Sequence, residues 1–188
     1  DSLQKQSDQY AARLALYLMI KDGLNVADFK LFDLAAFFGP GKYIIPEDKV
    51  DIASQSFKPV IDSLMLFSNK YSQYSRTATL IILGYADGSP VSQGSELYYT
   101  LLDELRKPMA EKEELNQKIS ELRSKELIKQ LTNLYLRNAS GFKEIDKLHI
   151  DYLGQGKGEQ LPLPYIKDYQ EDDERRRIVL CYWVVIPD

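Results

Sequence analysis

The 188-residue chain has a single cysteine, a single histidine and a single tryptophan. One cysteine, Cys181, excludes an internal disulfide and a thiolate metal cluster. It sits inside Val179-Leu180-Cys181-Tyr182-Trp183, a strand-like run where a buried, inert thiol is expected. Long apolar runs are also missing. The longest, Ala15 to Ile20 and Ile178 to Ile186, fall far short of the roughly 20 residues a membrane helix needs. Nor is there an excess of positive charge: 24 basic and 28 acidic residues leave a net charge of −4, which does not collect phosphates and excludes nucleic acid as a partner. There are no internal repeats or low-complexity tracts.

What is present is ordinary globular composition, 44% hydrophobic and 28% charged, at a length that suits one domain with an accessory segment. Residues 1 to 41 read as a helical extension or linker. Ala11, Leu14, Tyr17 and Leu18 recur at helical spacing before an Asp22-Gly23 stop, and a second short helix is predicted from Val26 to Phe37, before the Gly39-Pro40-Gly41 break. The main domain is expected over 42–188. Lys42 to Ile45 reads as a short strand. Phe57, Val60, Ile61 and Leu64 form the apolar stripe of a helix. Thr77 to Leu83 is nearly continuously apolar, as a strand covered on both faces would be.

An insertion over about 89–115 follows, with a modest helical stripe at Leu97, Leu101, Leu102 and Leu105 and an interruption at Pro108. A long helix is predicted from Leu115 to Tyr135, then strands over Lys147–Leu153 and Ile178–Ile186. The fold class is therefore α/β: a β-α-β-α-β-β sheet with helices packed on one face.

Two charged residues are out of character with their surroundings. The apolar run Ile81-Ile82-Leu83 climbs to Gly84 and then delivers Asp87 into a loop. On the second long helix, Asn116, Ile119, Ser120, Arg123, Ser124, Leu127, Leu131 and Leu134 share one face at 100° per residue. Two serines there let the helix backbone approach the sheet closely. An arginine on that face needs an anion, because a buried guanidinium without a partner is very costly. An internal salt bridge, snorkelling to the helix edge and a ligand carboxylate all satisfy that need.

Four stretches, taken in order, resemble one family. Asn116-Gln-Lys-Ile119-Ser120-Glu-Leu-Arg123-Ser124-Lys-Glu-Leu127-Ile128-Lys-Gln-Leu131 resembles the N-x-x-L-S-x-x-R-A-x-x-V-x-x-x-L helix of the OmpA-like domain. That is the peptidoglycan-binding module shared by outer-membrane protein A, peptidoglycan-associated lipoprotein and the stator protein MotB. Ile82-Leu83-Gly84-Tyr85-Ala86-Asp87-Gly88 is similar to its strand ending in G-H-T-D. Gly154-Gln-Gly156-Lys-Gly158-Glu159-Gln-Leu-Pro162 is similar to its G-x-G-x-x-x-P loop, and Arg175-Arg176-Arg177-Ile178-Val179 stands where N-R-R-V-E begins its last strand.

The resemblance implies a non-catalytic module that needs no cofactor or metal. It also implies the periplasm of a diderm bacterium, with outer-membrane association through a segment outside this chain. The implied partner is the diaminopimelate-bearing peptide stem of peptidoglycan, held by Asp87 and Arg123. Tyr85, Ala86, Asn116 and Arg177 take supporting places, Arg177 as a brace for the loops near Asp87. Diaminopimelate offers an ammonium and a carboxylate on one carbon, which an acid beside an arginine fork can read together. The sequence departs from the pattern where Tyr85 and Ala86 replace histidine and threonine, and where the insertion lengthens the gap from Asp87 to Arg123.

Those departures keep a second reading open, an OmpA-like scaffold that has lost the ligand and assembles with other envelope proteins through 1–41 or 89–115. His149 and Asp151 fall on one strand face, but no motif supplies the nucleophile and oxyanion site a hydrolase needs. Gly154-Gln-Gly156-Lys-Gly158 lacks the ending of a phosphate-binding loop. Glu171 to Arg177 reads as a self-paired charged turn.

Overall fold

Strict alternation of burial along Arg76–Gly84 organises the molecule, a computed structural model that describes residues 2–26, 30–32 and 38–188. Even-numbered Ala78, Leu80 and Ile82 are fully buried, and the odd-numbered residues between them are half-buried. This strand, β2, follows α1 (Ser2–Val26), β1 (Lys30–Phe32) and α2 (Val50–Lys70). After it come α3 (Glu96–Leu105), α4 (Lys112–Arg137), β3 (Leu148–Gly156) and β4 (Val179–Pro187). The sheet order is β1-β4-β2-β3, with β3 parallel to β2 and β4 antiparallel to both β2 and β1.

The helices lie on one face of this sheet, as the fold class requires. Phe57, Val60, Ile61 and Leu64 of α2 meet Leu127, Leu131 and Leu134 of α4 over Ala78, Leu80 and Ile82 of β2 and Val179, Cys181 and Val185 of β4. Met19 of α1 is buried in the same core, and Tyr71 donates its hydroxyl to Asp22 at 2.8 Å. Burying each of these large apolar side chains stabilises the fold by ~1.5–3 kcal/mol.

Four expectations need correction. Lys42–Ile45 is loop, not strand; the edge strand is Lys30–Phe32, which pairs with Val179–Cys181. That strand sits where the second short helix was expected, the rest of which, 27–29 and 33–37, lies outside the described residues. Gly23 does not stop α1, which continues to Val26. β2 is covered on one face only: Leu153, Val184 and Ile186 of its neighbours, on the other face, are exposed. Its apolar odd positions are half-buried by cross-strand neighbours rather than by a second layer.

At the end of the sheet away from the β2 C-terminus, Arg76 is fully buried and makes no ion pair among the described residues. Its guanidinium donates to Ser68 Oγ and to the carbonyls of Ser72, Tyr74, Lys143 and Lys147 at 3.0–3.4 Å. It thus ties the C-terminal end of α2 to the start of β3.

Candidate functional site

The site begins where β2 and α4 touch. A Cβ at Gly84 would lie 2.1 Å from the Ser120 carbonyl oxygen, so only glycine lets the helix backbone cross the strand end this closely. The backbone of both serines of the α4 stripe comes against Gly84, as anticipated, and Ser120 Oγ also accepts from the Gly158 N–H at 2.8 Å, joining the helix to the turn after β3. Beyond Gly84 the chain is pinned from both sides. Tyr85 N–H donates to the Ile178 carbonyl (3.0 Å) and Ala86 N–H to the Gly158 carbonyl (2.9 Å). Asp87 is the first residue free of this clasp, and it enters a cleft of about 240 Å³ whose walls include Ala86, Asp87, Asn116 and Arg123.

Arg123 is 1% exposed. Its Nε donates to the Lys42 carbonyl (3.0 Å) and one terminal nitrogen, Nη1, to the Tyr85 carbonyl (2.8 Å). The Phe38 ring centroid is 5.5 Å from the guanidinium carbon. The other terminal nitrogen makes no hydrogen bond among the described residues. Burial pulls the pKa of the group down to about 10, opposed by the attraction of Asp87 and assisted by the repulsion of Arg177. It remains a cation at neutral pH, held in place by neutral carbonyls and a ring.

Asp87, 4% exposed, forms its ion pair with Arg177: Nε donates to Oδ2 at 2.6 Å, while Arg177 also reaches the Asp172 carbonyl (2.9 Å). Ser89 Oγ donates to the same Oδ2 at 3.2 Å. Oδ1 has no hydrogen bond among the described residues. Asp87 and Arg123 thus share a cleft without an ion pair between them, each with one polar atom uncommitted. Asn116 Nδ2 donates to the Ser89 carbonyl (3.1 Å) and to Glu159 Oε1 (2.7 Å), fixing the loop after Asp87 to α4. Tyr85 does not line the cleft; its ring packs with Ile178 and Leu180 and burial raises its pKa.

The insertion neither loops away nor seals the site. Ser95 caps α3 by accepting from the Tyr98 N–H (3.1 Å), and Tyr98, Leu101 and Leu102 pack on Ala86, Leu115 and Ile119. This second small core sets α3 beside α4, and Val91, Ser92, Ser95 and Leu97 become part of the wall of the cleft that Asp87 and Arg123 line. The structure also brings in residues without a sequence signal for this role: Phe38; Pro40 and Gly41, read only as a break; and Ser89 and Glu159, which are ordinary loop residues.

The charged turn is organised by its three arginines. Arg175 pairs with Asp173 and Asp168, and Arg176 donates to the carbonyls of Glu159, Gln170 and Glu171. His149 Nε2 and Asp151 Oδ1 are 2.8 Å apart, but both are over half exposed on β3, beside the start of β2 rather than its end. Among the described residues there is no group of three or more side chains suited to hold a metal, and no helix long and apolar enough to cross a membrane.

No protein-family model and no curated protein matches the chain. Among solved structures it is similar to the crystal structure of a MotB-like protein from Desulfovibrio vulgaris, at 17% identity and a TM-score of 0.43, over 93% of this chain and 91% of that one.

Proposed function

We propose that the protein is a non-catalytic cell-wall module whose cleft grips the ammonium and carboxylate of diaminopimelate in a peptidoglycan stem, at the periplasmic face of a diderm envelope. The observation that carries this is the state of the two charged groups. Arg123 is buried as a cation with one terminal nitrogen uncommitted, and Asp87, which lines the same cleft, has an uncommitted Oδ1. Burying a guanidinium against neutral acceptors is costly, and a ligand carboxylate is the partner that offsets it. A zwitterion bridges the acid and the base where the protein itself leaves them apart. Each charge-assisted contact contributes about 1.5–3 kcal/mol, a strength that suits reversible, many-sited attachment to a polymer.

The Arg177–Asp87 pair favours a second reading, a scaffold in which Asp87 serves loop structure and the cleft has no ligand. Co-sedimentation with purified sacculi separates the two. Binding to diaminopimelate-type sacculi that Asp87→Ala and Arg123→Ala each abolish, with folding intact by circular dichroism, supports the wall module. A parent protein that stays in the supernatant supports the scaffold.

A further inference from the structure

We infer that the ligand cleft continues past Gly41 into a second compartment, so that the protein reads a peptide of at least two residues rather than a single amino acid. This rests on the function proposed above and names the size and class of its ligand. The second space, about 470 Å³, shares Pro40, Gly41, Ser95 and Leu97 with the first. Its own walls are Lys42, Tyr43 and Ile44 on one side and Glu96 and Thr100 of α3 on the other. The first cleft alone is smaller than the ~300–1,000 Å³ that encloses a drug-sized ligand. The added compartment brings the joined space into that range.

The boundary they share depends on a single residue type. Gly41 has φ +66°, and a Cβ there would lie 2.6 Å from Leu97 Cδ2. Glycine therefore both makes the turn and sets the waist against α3, with the insertion supplying the facing wall. The chemistry beyond the waist is mixed. Tyr43, Ile44 and Leu97 offer apolar surface, and Lys42 and Glu96 place opposite charges on facing walls. Neither Lys42 nor Glu96 makes an ion pair among the described residues. Such a lining suits the amides and side chain of the residue next to the zwitterion. The 89–115 insertion is thus a specificity element, lengthening the portion of stem that is recognised.

The test compares free meso-diaminopimelate with the tripeptide L-alanyl-γ-D-glutamyl-meso-diaminopimelate by titration calorimetry, on the parent and on Thr100→Arg. Thr100 is exposed on α3 and lines only the second compartment, so arginine there fills it without touching Asp87 or Arg123. The parent should bind the tripeptide about tenfold tighter than the free amino acid, ~1.4 kcal/mol. Thr100→Arg should erase that advantage and leave the free amino acid unchanged. Tyr43→Ala, which removes apolar surface from the other wall, should erode the advantage in the same direction. Equal parent affinity for both ligands overturns this inference while the proposed function stands. So does an advantage that survives Thr100→Arg. No binding of either ligand overturns both.

Discussion

Replacing Arg123 by methionine separates what the guanidinium does for folding from what it does for a ligand. In the folded chain burial chiefly pulls its pKa down from the ordinary arginine value to about 10. At neutral pH, keeping the charge inside therefore costs about 3 kcal/mol. Against this stand two hydrogen bonds from a charged donor to the Lys42 and Tyr85 carbonyls, each worth ~1.5–3 kcal/mol. The two sides nearly cancel. Methionine fills much of the same space beside Phe38 but leaves both carbonyls without this donor. Arg123→Met should thus destabilise by roughly 1–3 kcal/mol, below the ~3–5 kcal/mol of a broken buried ion pair. Binding to diaminopimelate ligands should vanish altogether.

Urea denaturation reads the first effect as a lowered midpoint at unchanged slope, and calorimetry reads the second. The pH dependence has a definite sign. Between about 10 and the higher, ordinary arginine pKa the unfolded chain holds this proton and the folded chain does not, so the group makes stability rise with pH there. The parent-minus-variant difference should grow across that window. A loss above about 5 kcal/mol refutes the reasoning, because Arg123 would then be a structural keystone whose charge is fully compensated within the fold. Retained binding refutes the ligand half.

Other substitutions test the supports. Gly84→Ala drives a methyl into the Ser120 carbonyl and should cost ~1–3 kcal/mol by urea denaturation, with weakened ligand binding as α4 shifts. Arg76→Met leaves a set of carbonyls and Ser68 Oγ without their donor, and the denaturation midpoint should fall by the equivalent of ~3 kcal/mol or more, with ligand affinity unchanged if the fold is retained. Burial pushes the Cys181 thiol up to about 12, so native protein should resist an aromatic disulfide reagent at pH 8 and react only in denaturant.

Much of the fold was legible because periodicity and burial agree. The α2 stripe at Phe57, Val60, Ile61 and Leu64 and the α4 face through Leu127, Leu131 and Leu134 carry the core. The misses have physical causes. Lys30–Phe32 is a three-residue edge strand defined by its partner in β4, and it has too few residues to show a period of its own. Gly23 stops a helix only where the following chain leaves it, and α1 continues one more turn. β2 looked buried on both faces because Ile81 and Leu83 occupy its half-buried side beside Thr77 and Thr79, where cross-strand packing favours β-branched residues.

The candidate site was legible in part. Arg123 stood out as a charge on an apolar face and Asp87 as a carboxylate at a strand end, and both line one cleft. What no pattern announces is the pairing of main-chain carbonyls with a side chain. Lys42 and Tyr85 act on Arg123 through oxygens that every residue has. The packing of the insertion depended on whether Leu101 and Leu102 found a partner surface, which Ala86, Leu115 and Ile119 provide.

On the proposed function, an acid and a base in this cleft read one zwitterionic carbon. The most direct test titrates the parent with two stem tripeptides differing only in the third residue, meso-diaminopimelate or L-lysine. Lysine keeps the chain length and one ammonium but lacks the second carboxylate that Arg123 would take. The diaminopimelate peptide should bind at least roughly tenfold tighter, a preference lost in Arg123→Met. Equal affinity for the two peptides, or a preference that survives the substitution, would contradict that reading.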